Sequence, residues 1–150
     1  MSFRGRIARN VDNQGRLMLP PEYREELLAR SEGGVLMLTT LPGDPCLVGY
    51  PLPLWREIEH NLKKIENPSK RLKAYERAIV GGAQQMVPDA QGRIRLAEDH
   101  LRHAEISAEA VLQGSIDCFE IWQPQRLEAV LQQDFSDIRD ELPPGTGRIF

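Results

Sequence analysis

One short pattern occurs twice in the chain, and this internal repeat constrains the fold more than any other feature. The segment Asp12–Leu19 recurs as Asp89–Leu96, with five of eight positions identical at an offset of 77 residues. Downstream, Cys46–Tyr50 matches Cys118–Trp122 at an offset of 72, and we place the five extra residues of the first copy around residues 41–45. A unit that occurs twice in 150 residues predicts a duplicated supersecondary structure.

Each copy has the same predicted order of elements. Alternating apolar and polar residues over 7–11 indicate a half-buried strand. The Asp-x-x-Gly-Arg sequence that follows predicts a hairpin turn, because glycine accepts a positive φ and aspartate bonds the backbone N–H groups ahead of it. A second short strand, a helix, two further strands and a proline-led helix complete the unit. Such a β–turn–β–α–β–β–α unit of roughly 60 to 70 residues is too small to bury a comfortable core, so two units should share one core.

The division of the chain follows from the repeat. We predict an α+β protein whose two units are joined by a helix and followed by a tail rich in acidic residues, proline and glycine. The expected segments are a first repeat (1–60), a basic linker helix (61–82), a second repeat (83–135) and an acidic, flexible tail (136–150).

The linker is strongly basic. Residues 60–80 hold six Lys and Arg against two Glu. Asn67 is placed as a helix N-cap, and Leu72, Tyr75 and Ile79 have the spacing of a buried stripe. The cations would then face outward, which is typical of a solvated face, with contact to a partner or to nucleic acid as the alternative.

Charge is distributed unevenly along the chain. The formal net charge is −3, yet residues 1–97 hold 15 Lys and Arg against 11 Asp and Glu, while residues 98–150 hold 4 against 11. This asymmetry is compatible with one basic working surface beside an acidic flank, and uneven solvation is the alternative. No apolar run approaches the roughly 18 residues of a membrane helix, no secretory signal is visible, and Cys46 and Cys118 stand far apart. We expect a cytoplasmic protein with reduced thiols and no membrane partner.

Signatures of catalysis are missing from the sequence. There is no phosphate-binding loop or nucleophile–base pair, and His100 and His103 lack a third metal ligand at suitable spacing, so a surface-helix position is favoured. We therefore expect no enzymatic activity, cofactor, metal or small-molecule substrate. A catalytic carboxylate pair of Asp12 and Asp89 is disfavoured, because an arginine four residues on would keep each carboxylate ionised, whereas a shared-proton pair needs the opposite.

The two Asp-x-x-Gly-Arg turns remain as candidates for function. In this interpretation the aspartate shapes the turn, Gly15 leaves room for close backbone approach, and Arg16 offers bidentate donors to phosphate or guanine. The alternative is a purely structural Asp–Arg pair. Cationic neighbours of the first copy favour the functional interpretation and predict that Arg16 contributes more to binding than Arg93, because charges act over only about 8–10 Å at physiological salt. These neighbours are Arg4, Arg6, Arg9 and Arg24.

A set of motifs runs from residue 3 to about residue 133 in a recognisable order and spacing. They are Phe3-Arg4-Gly5, Asp12-x-x-Gly15-Arg16-Leu17, Pro20-x-x-Tyr23-Arg24, Cys46-Leu47, Tyr50-Pro51-Leu52-Pro53-x-Trp55, Asn67-Pro68, Gln91-Gly92-Arg93-Ile94 and Phe119-Glu120-Ile121-Trp122. Together these motifs resemble the MraZ family of bacterial transcriptional regulators, encoded at the head of the division and cell-wall gene cluster. The Asp-x-x-x-Arg turns place that family among the AbrB-like swapped-hairpin barrel DNA-binding proteins.

This resemblance implies a fold, a partner and an assembly. The fold would be two tandem β–turn–β–α–β–β–α repeats that form one AbrB-like swapped-hairpin β-barrel with peripheral helices. The partner would be double-stranded DNA carrying repeated boxes in the promoter of the chain's own operon, bound by a homo-oligomeric ring associated with the nucleoid. A ring-forming, protein-binding scaffold without DNA readout is the alternative. The residues implied in DNA binding are Arg16, Arg93, Arg4, Arg6, Gly15 and Gly92, with Asp12 and Asp89 shaping the turns.

Overall fold

Both copies of the repeat adopt the predicted order of elements in a computed structural model that describes residues 2–146. The protein is α+β, with eight strands and five helices among these residues, and the two short 3₁₀ turns are Glu32–Gly34 and Ile138–Glu141. The elements are β1 (Arg6–Asn10), β2 (Arg16–Met18), α1 (Pro21–Arg30), β3 (Leu36–Thr40), β4 (Cys46–Pro51), α2 (Leu52–Lys63), α3 (Lys70–Gly81), β5 (Gln84–Met86), β6 (Arg93–Arg95), α4 (Glu98–Ala104), β7 (Glu109–Gly114), β8 (Phe119–Trp122) and α5 (Pro124–Leu131).

The repeats exchange strands. Six antiparallel strands form one sheet in the order β1-β7-β8-β4-β3-β5, so the first strand of each repeat pairs with the third strand of the other. The second strands, β2 and β6, pair with each other in a separate two-stranded ladder. If each strand is replaced by its equivalent in the other repeat, the same strand order is obtained from the opposite edge of the sheet. This indicates an approximate two-fold axis between β4 and β8.

Because of this exchange, the predicted hairpins are only partly correct. The turn itself closes, since the Asp12 N–H donates to the Arg16 carbonyl at 2.9 Å and the Gly15 N–H donates to the Asp12 carbonyl at 3.0 Å. The strands that flank it, however, pair with the other repeat and not with each other. A turn specifies where the chain reverses, whereas the partner of each strand depends on how the apolar faces of both repeats are buried together.

One buried cluster takes residues from both repeats, which agrees with the prediction of a shared core. Phe3 and Tyr23 from the first repeat meet Phe119 from the second, with ring centroids 5.4 to 5.5 Å apart. Leu17 and Ile94 of the ladder belong to the same buried cluster. Aromatic contacts of this kind contribute about 0.5–1.5 kcal/mol each beyond the burial of their area. Core and ladder therefore stabilise both repeats jointly.

A smaller buried cluster lies beneath α5 and contains Cys46, Val48, Trp122 and Leu127. Cys46 and Cys118 are free thiols. Burial raises the pKa of the Cys46 thiol to about 12, so this group stays protonated and packs as a small apolar side chain.

The extra residues of the first copy are not all where the alignment of the repeats placed them. Helix α1 has ten residues and α4 has seven, so three of the five extra residues lengthen this helix. Strand register leaves six residues between Thr40 and Leu47 and four between Gly114 and Phe119, so only two lie in the loop. Placing all five around 41–45 was therefore partly wrong. About one added turn extends a helix without changing the pairing of the strands.

The linker helix α3 differs from its prediction in both cap and burial. Its N-cap is Ser69, whose hydroxyl accepts the Leu72 N–H at 3.0 Å, while Asn67 takes a positive φ of 48°. Tyr75 is 42% exposed, and Leu72 and Ile79 are only partly buried. The helix packs chiefly on one strand, β3. A single strand contacts only part of the apolar stripe of a helix, so the three stripe residues stay partly exposed.

Equivalent hydrogen bonds connect helices α1 and α4 to the segment that precedes the first strand of their own repeat. Tyr23 donates its hydroxyl to the Gly5 carbonyl at 3.0 Å, and His100, at the matching position, donates from Nε2 to the Gly82 carbonyl at 2.6 Å. His100 is fully buried, so its predicted position on a surface helix was wrong. A polar side chain at this place satisfies a glycine carbonyl that lies close to the core.

The tail is described only as far as residue 146. Its described part, 136–146, is largely exposed and contains one 3₁₀ turn, Ile138–Glu141. Gly147, Ile149 and Phe150 lie outside the described residues, and the tail's flexibility stays a prediction. Over residues 2–146, no helix combines the length and the apolar composition needed to cross a membrane.

Candidate nucleic-acid interface

Each Asp–Arg turn holds its arginine through the carboxylate. Asp12 Oδ1 accepts the backbone N–H groups of Gln14 and Arg16 at 2.9 Å, and Oδ2 accepts Nε–H of the Arg16 side chain at 2.8 Å. The same geometry recurs in the second turn, where Asp89 Oδ2 accepts Nε–H of Arg93 at 2.8 Å. The prediction that the aspartates shape the turns is consistent with this geometry. Each carboxylate also fixes the orientation of one guanidinium.

The anchored guanidiniums keep their outer donors available. Only Nε of Arg16 and of Arg93 is used by the aspartate, and among residues 2–146 no hydrogen bond involves the two Nη groups of either arginine. Their side chains are 34% and 33% exposed. A guanidinium held at Nε presents a planar pair of N–H donors that matches a phosphate or the O6 and N7 acceptors of guanine.

Hydrogen bonding keeps both aspartates ionised. The pKa values of Asp12 and Asp89 lie below the ordinary 3.8, foremost because each carboxylate accepts the backbone N–H of its arginine, and then because of the bond from the arginine side chain. Both carboxylates lie at the surface and on separate turns, each paired with its own arginine. This arrangement agrees with the sequence argument against a shared-proton pair.

These lowered pKa values predict a turn that resists mild acid. A carboxylate whose pKa is depressed by folding contributes stability above about pH 4, and this contribution is lost as the pH falls through the depressed pKa. We expect the difference in Tm between the parent and an Asp12→Asn/Asp89→Asn variant to be constant from about pH 7 to pH 5 and to shrink below about pH 4. Thermal melts over this range provide the measurement. A difference that already shrinks between pH 7 and 5 would show that other groups dominate.

The ladder of β2 and β6 has one buried face and one solvent face. Its central pair, Leu17 and Ile94, is 2% and 3% exposed. Because side chains alternate across a strand, the flanking pairs point to the opposite face, and they carry three arginines. These flanking pairs are Arg16 with Arg95 and Met18 with Arg93.

The same face borders a shallow groove. A cavity of about 570 Å³ is lined by the three ladder arginines together with Asp89, Glu98 and the strand Gln84–Met86. The lining also includes the apolar residues Val87, Leu96 and Ala97, so the groove is chemically mixed. Its cationic part, formed by the three arginines, is the part that suits a polyanionic backbone.

Strand exchange changes which arginines surround which turn. Arg24, on α1 of the first repeat, reaches the second turn, where Nη2 donates to the Ala90 carbonyl at 3.5 Å. Arg9 donates from Nε to the carbonyl of Met18, the residue opposite Arg93. Arg24 therefore contacts the turn of Arg93 and not that of Arg16, contrary to the prediction, while Arg9 contacts the strand β2 that carries Arg16.

The first turn takes its extra cation from the second repeat. Arg95 lies opposite Arg16 and donates from Nε to the Gln14 carbonyl at 3.1 Å. Arg95 is only two residues from Arg93 in sequence, yet its side chain contacts the turn of Arg16. The structure therefore removes the reason for expecting Arg16 to outweigh Arg93, since both turns have cationic neighbours.

Arg4 and Arg6 are not brought together with the turns. Arg6 lies opposite Gln113 at the far end of β1, and Arg4 precedes it. The four-residue rise from Arg6 to Asn10 spans about 13 Å, which exceeds the screening length of about 8 Å at physiological salt. If these two arginines bind DNA, they do so as a separate contact.

The turn glycines face inward. Gly15 and Gly92 are buried and adopt positive φ angles of 78° and 83°. A Cβ at Gly15 would lie 2.7 Å from the Leu96 carbonyl oxygen, and one at Gly92 would lie 2.5 Å from Cδ of Arg24. The expectation that Gly15 leaves room for DNA was wrong, because the other repeat occupies that room.

The surroundings of the two glycines differ, and they predict different losses of stability when each glycine is replaced by alanine. A positive φ costs a non-glycine residue about 1–3 kcal/mol at either site. Gly15→Ala should cost more than Gly92→Ala, because the Leu96 carbonyl is fixed backbone whereas the Arg24 side chain can move aside. Urea denaturation of the two variants gives this comparison. Equal losses of unfolding free energy would show that the φ angle alone decides.

Other candidate chemistry is not assembled in the described part of the chain. Within residues 2–146, no group of three or more His, Cys, Asp and Glu side chains is arranged to hold a metal ion. His103 donates from Nε2 to the Asp44 carbonyl in the β3–β4 loop at 3.0 Å, while His100 lies in the interior. Sequence reasoning placed Arg24 with the first turn and did not link Arg95 to it, because both contacts join residues that are far apart in sequence.

Comparison with known proteins covers both repeats. A family model described as "MraZ protein, putative antitoxin-like" matches residues 2–76 and 79–142. A protein named transcriptional regulator MraZ from Nitratidesulfovibrio vulgaris (strain Hildenborough) is 45% identical over 142 residues, which is 95% of this chain and 94% of that protein. Proteins of the same name from Oleidesulfovibrio alaskensis and Pseudoalteromonas translucida are 44% identical over 95% of the chain and 37% identical over 88%, covering 94% and 86% of their own lengths.

Proposed function

The chain belongs to the MraZ family, and from this premise we propose that it is a transcriptional regulator that binds short repeated DNA boxes upstream of its own division and cell-wall gene cluster. The names of its relatives support the regulatory class. The observation that carries the DNA-binding part is the pair of aspartate-anchored guanidiniums on the solvent face of the β2–β6 ladder. We assign the protein to the cytoplasm, in association with the nucleoid.

The mechanism follows from preorganisation. Free arginine side chains lose rotamer freedom on binding, whereas Arg16 and Arg93 are already oriented by Asp12 and Asp89 before DNA arrives. Each anchored fork can contact guanine O6 and N7 in the major groove, a contact worth about 1–3 kcal/mol of discrimination. Neighbouring arginines then supply the phosphate contacts that position the turn without reading sequence.

The strand exchange supports one swapped-hairpin barrel built from both repeats of a single chain. In this proposal the β2–β6 ladder and its two turns form the DNA-facing end of the barrel. The helices α2, α3 and α5 pack on strands of the six-stranded sheet.

A single barrel makes too few contacts to select a short site among genomic competitors, so we expect a cyclic homo-oligomer. Linking several ladders in one particle raises the effective concentration at tandem boxes without any new contact. Light scattering at micromolar concentration should give a multiple of the 17.0 kDa chain mass. A mass of one chain would contradict the ring.

An electrophoretic shift on the region upstream of the chain's own gene tests the proposed function. We expect a specific complex whose affinity falls steeply between about 50 and 200 mM salt, because binding releases counterions from the phosphates. A shuffled duplex of the same length is the control for specificity. No shift at any salt concentration would instead favour the protein-binding scaffold.

A further inference from the structure

Each Asp–Arg turn carries a second arginine that comes from the other repeat. At the first turn this is Arg95 of β6, whose Nε donates to the Gln14 carbonyl at 3.1 Å. At the second turn it is Arg24 of α1, whose Nη2 donates to the Ala90 carbonyl at 3.5 Å and whose side chain packs over Gly92. Strand exchange thus gives both turns two guanidiniums, one anchored by aspartate and one held by a backbone carbonyl.

We infer that Arg95 and Arg24 are DNA phosphate-contact residues, so that each turn binds the duplex as a composite two-arginine unit assembled from both repeats. The inference rests on the proposed DNA-binding function. It assigns the aspartate-anchored arginine of each turn to base readout and the carbonyl-held arginine to the adjacent backbone phosphate.

Uncompensated charge supports this assignment. Arg16 and Arg95 are direct cross-strand neighbours, whose Cβ atoms in such pairs lie about 4.5–5.5 Å apart. Among the described residues, neither Arg95 nor Arg24 forms an ion pair, in contrast to Arg16 and Arg93. Like charges placed opposite one another destabilise a sheet. At the first turn, a phosphate bound between Arg16 and Arg95 would compensate the charge of Arg95, which has no carboxylate partner among the described residues.

The anchoring geometry also leaves donors for a phosphate. Arg95 uses Nε on the Gln14 carbonyl, and Arg24 uses one Nη2 contact at the long limit of a hydrogen bond. A guanidinium has five N–H donors, so most of them are still available on each side chain. A carbonyl, unlike a carboxylate, orients the group without cancelling its charge.

The internal repeat offers natural replacements for both residues. Met18 occupies the position equivalent to Arg95, and Leu101 occupies the position equivalent to Arg24 and packs near Gly15. Arg95→Met and Arg24→Leu therefore remove a charge while installing a side chain that the same local fold already accepts. Arg56→Met, on the exposed side of α2, removes the same charge away from the ladder and serves as the matched control.

The test measures the affinity of the full chain, and its dependence on salt, for two probes. The probes are a duplex from the region upstream of the chain's own gene and a shuffled duplex of equal length. We expect Arg95→Met and Arg24→Leu each to weaken binding to both duplexes by about tenfold and to reduce the slope of log affinity against log salt by about one for each turn engaged. Arg56→Met should bind as the parent does.

Lysine variants separate charge from packing. Arg95→Lys and Arg24→Lys should retain most of the salt slope, because a lysine still contacts a phosphate as a point charge. Circular dichroism should show all variants folded, with the Tm of Arg95→Met equal to or above that of the parent, since a repulsive pair is removed. A lower Tm together with loss of binding that lysine does not restore would overturn the inference in favour of a structural role.

The two proposals fail in different ways. If the parent binds the upstream duplex and both neutral variants match it in affinity and salt slope, the composite unit is wrong and the proposed function stands. If the parent binds neither duplex at any salt concentration, the proposed function is wrong and the inference falls with it.

Discussion

Replacing both anchored arginines, in an Arg16→Ala/Arg93→Ala variant, is expected to abolish specific DNA binding while the protein stays folded. Each lost base contact costs about 1–3 kcal/mol, and the losses accumulate over every ladder that engages a tandem site. The fold should tolerate the change, because both side chains lie on the solvent face and pair only with exposed aspartates. Fluorescence anisotropy on the upstream duplex measures the affinity, with circular dichroism as the folding control.

The single variants refine this expectation. Because Arg24 lies at the second turn and Arg95 lies at the first, we expect Arg93→Ala to weaken binding about as much as Arg16→Ala. An Arg16→Lys/Arg93→Lys variant is the matched control, since it keeps the charge and loses the bidentate fork. It should retain salt-dependent binding to a shuffled duplex and lose the preference for the upstream one. Parent-like affinity of the double alanine variant would leave the turns a purely structural role.

Dividing the repeats should have an equally large effect on folding. A fragment of residues 1–66 is expected not to fold as a monomer, because β1 and β2 lose the strands β7 and β6 that satisfy their hydrogen bonds. The fragment also loses Phe119, which completes the aromatic centre of the core with Phe3 and Tyr23. Far-UV circular dichroism and light scattering together measure this outcome.

A complementary fragment provides the control. Mixing residues 1–66 with residues 67–150 should restore a cooperative thermal transition, since all exchanged strands are then present. A monomeric 1–66 fragment that melts cooperatively by itself would contradict a core shared between the repeats. This result would also show that the first repeat can pair β1 and β2 locally.

Local features were predictable because they depend on near neighbours. The Asp-x-x-Gly-Arg turns form as expected, since the bonds from the carboxylate reach only two to four residues along the chain. Helix α1 begins at Pro21, and α3 ends at Gly81, where proline and glycine place such boundaries. The shared core was also predictable, because a unit of this size buries too little apolar surface alone.

The misplaced features depend on contacts between distant residues. His100 has a surface-like sequence context, yet the matching position of Tyr23 is buried, so alignment of the two copies carried a signal for its burial. Tyr75 has helical spacing with Leu72 and Ile79, but spacing cannot show that α3 packs on a single strand at the side of the sheet. The apolar stripe of a helix is buried only where another element packs against it. The spacing of apolar residues in the sequence does not show whether such an element is present.

By itself the sequence determined the repeat, the two Asp–Arg turns and the pairing of each aspartate with its own arginine. Only the tertiary structure decided which further arginines stand beside each turn. Arg95 is two residues from Arg93 in sequence but contacts the turn of Arg16, and Arg24 is 66 residues from the Ala90 carbonyl that it bonds. The reason is physical: a strand takes its hydrogen bonds from whichever partner also buries its apolar face, and here that partner belongs to the other repeat.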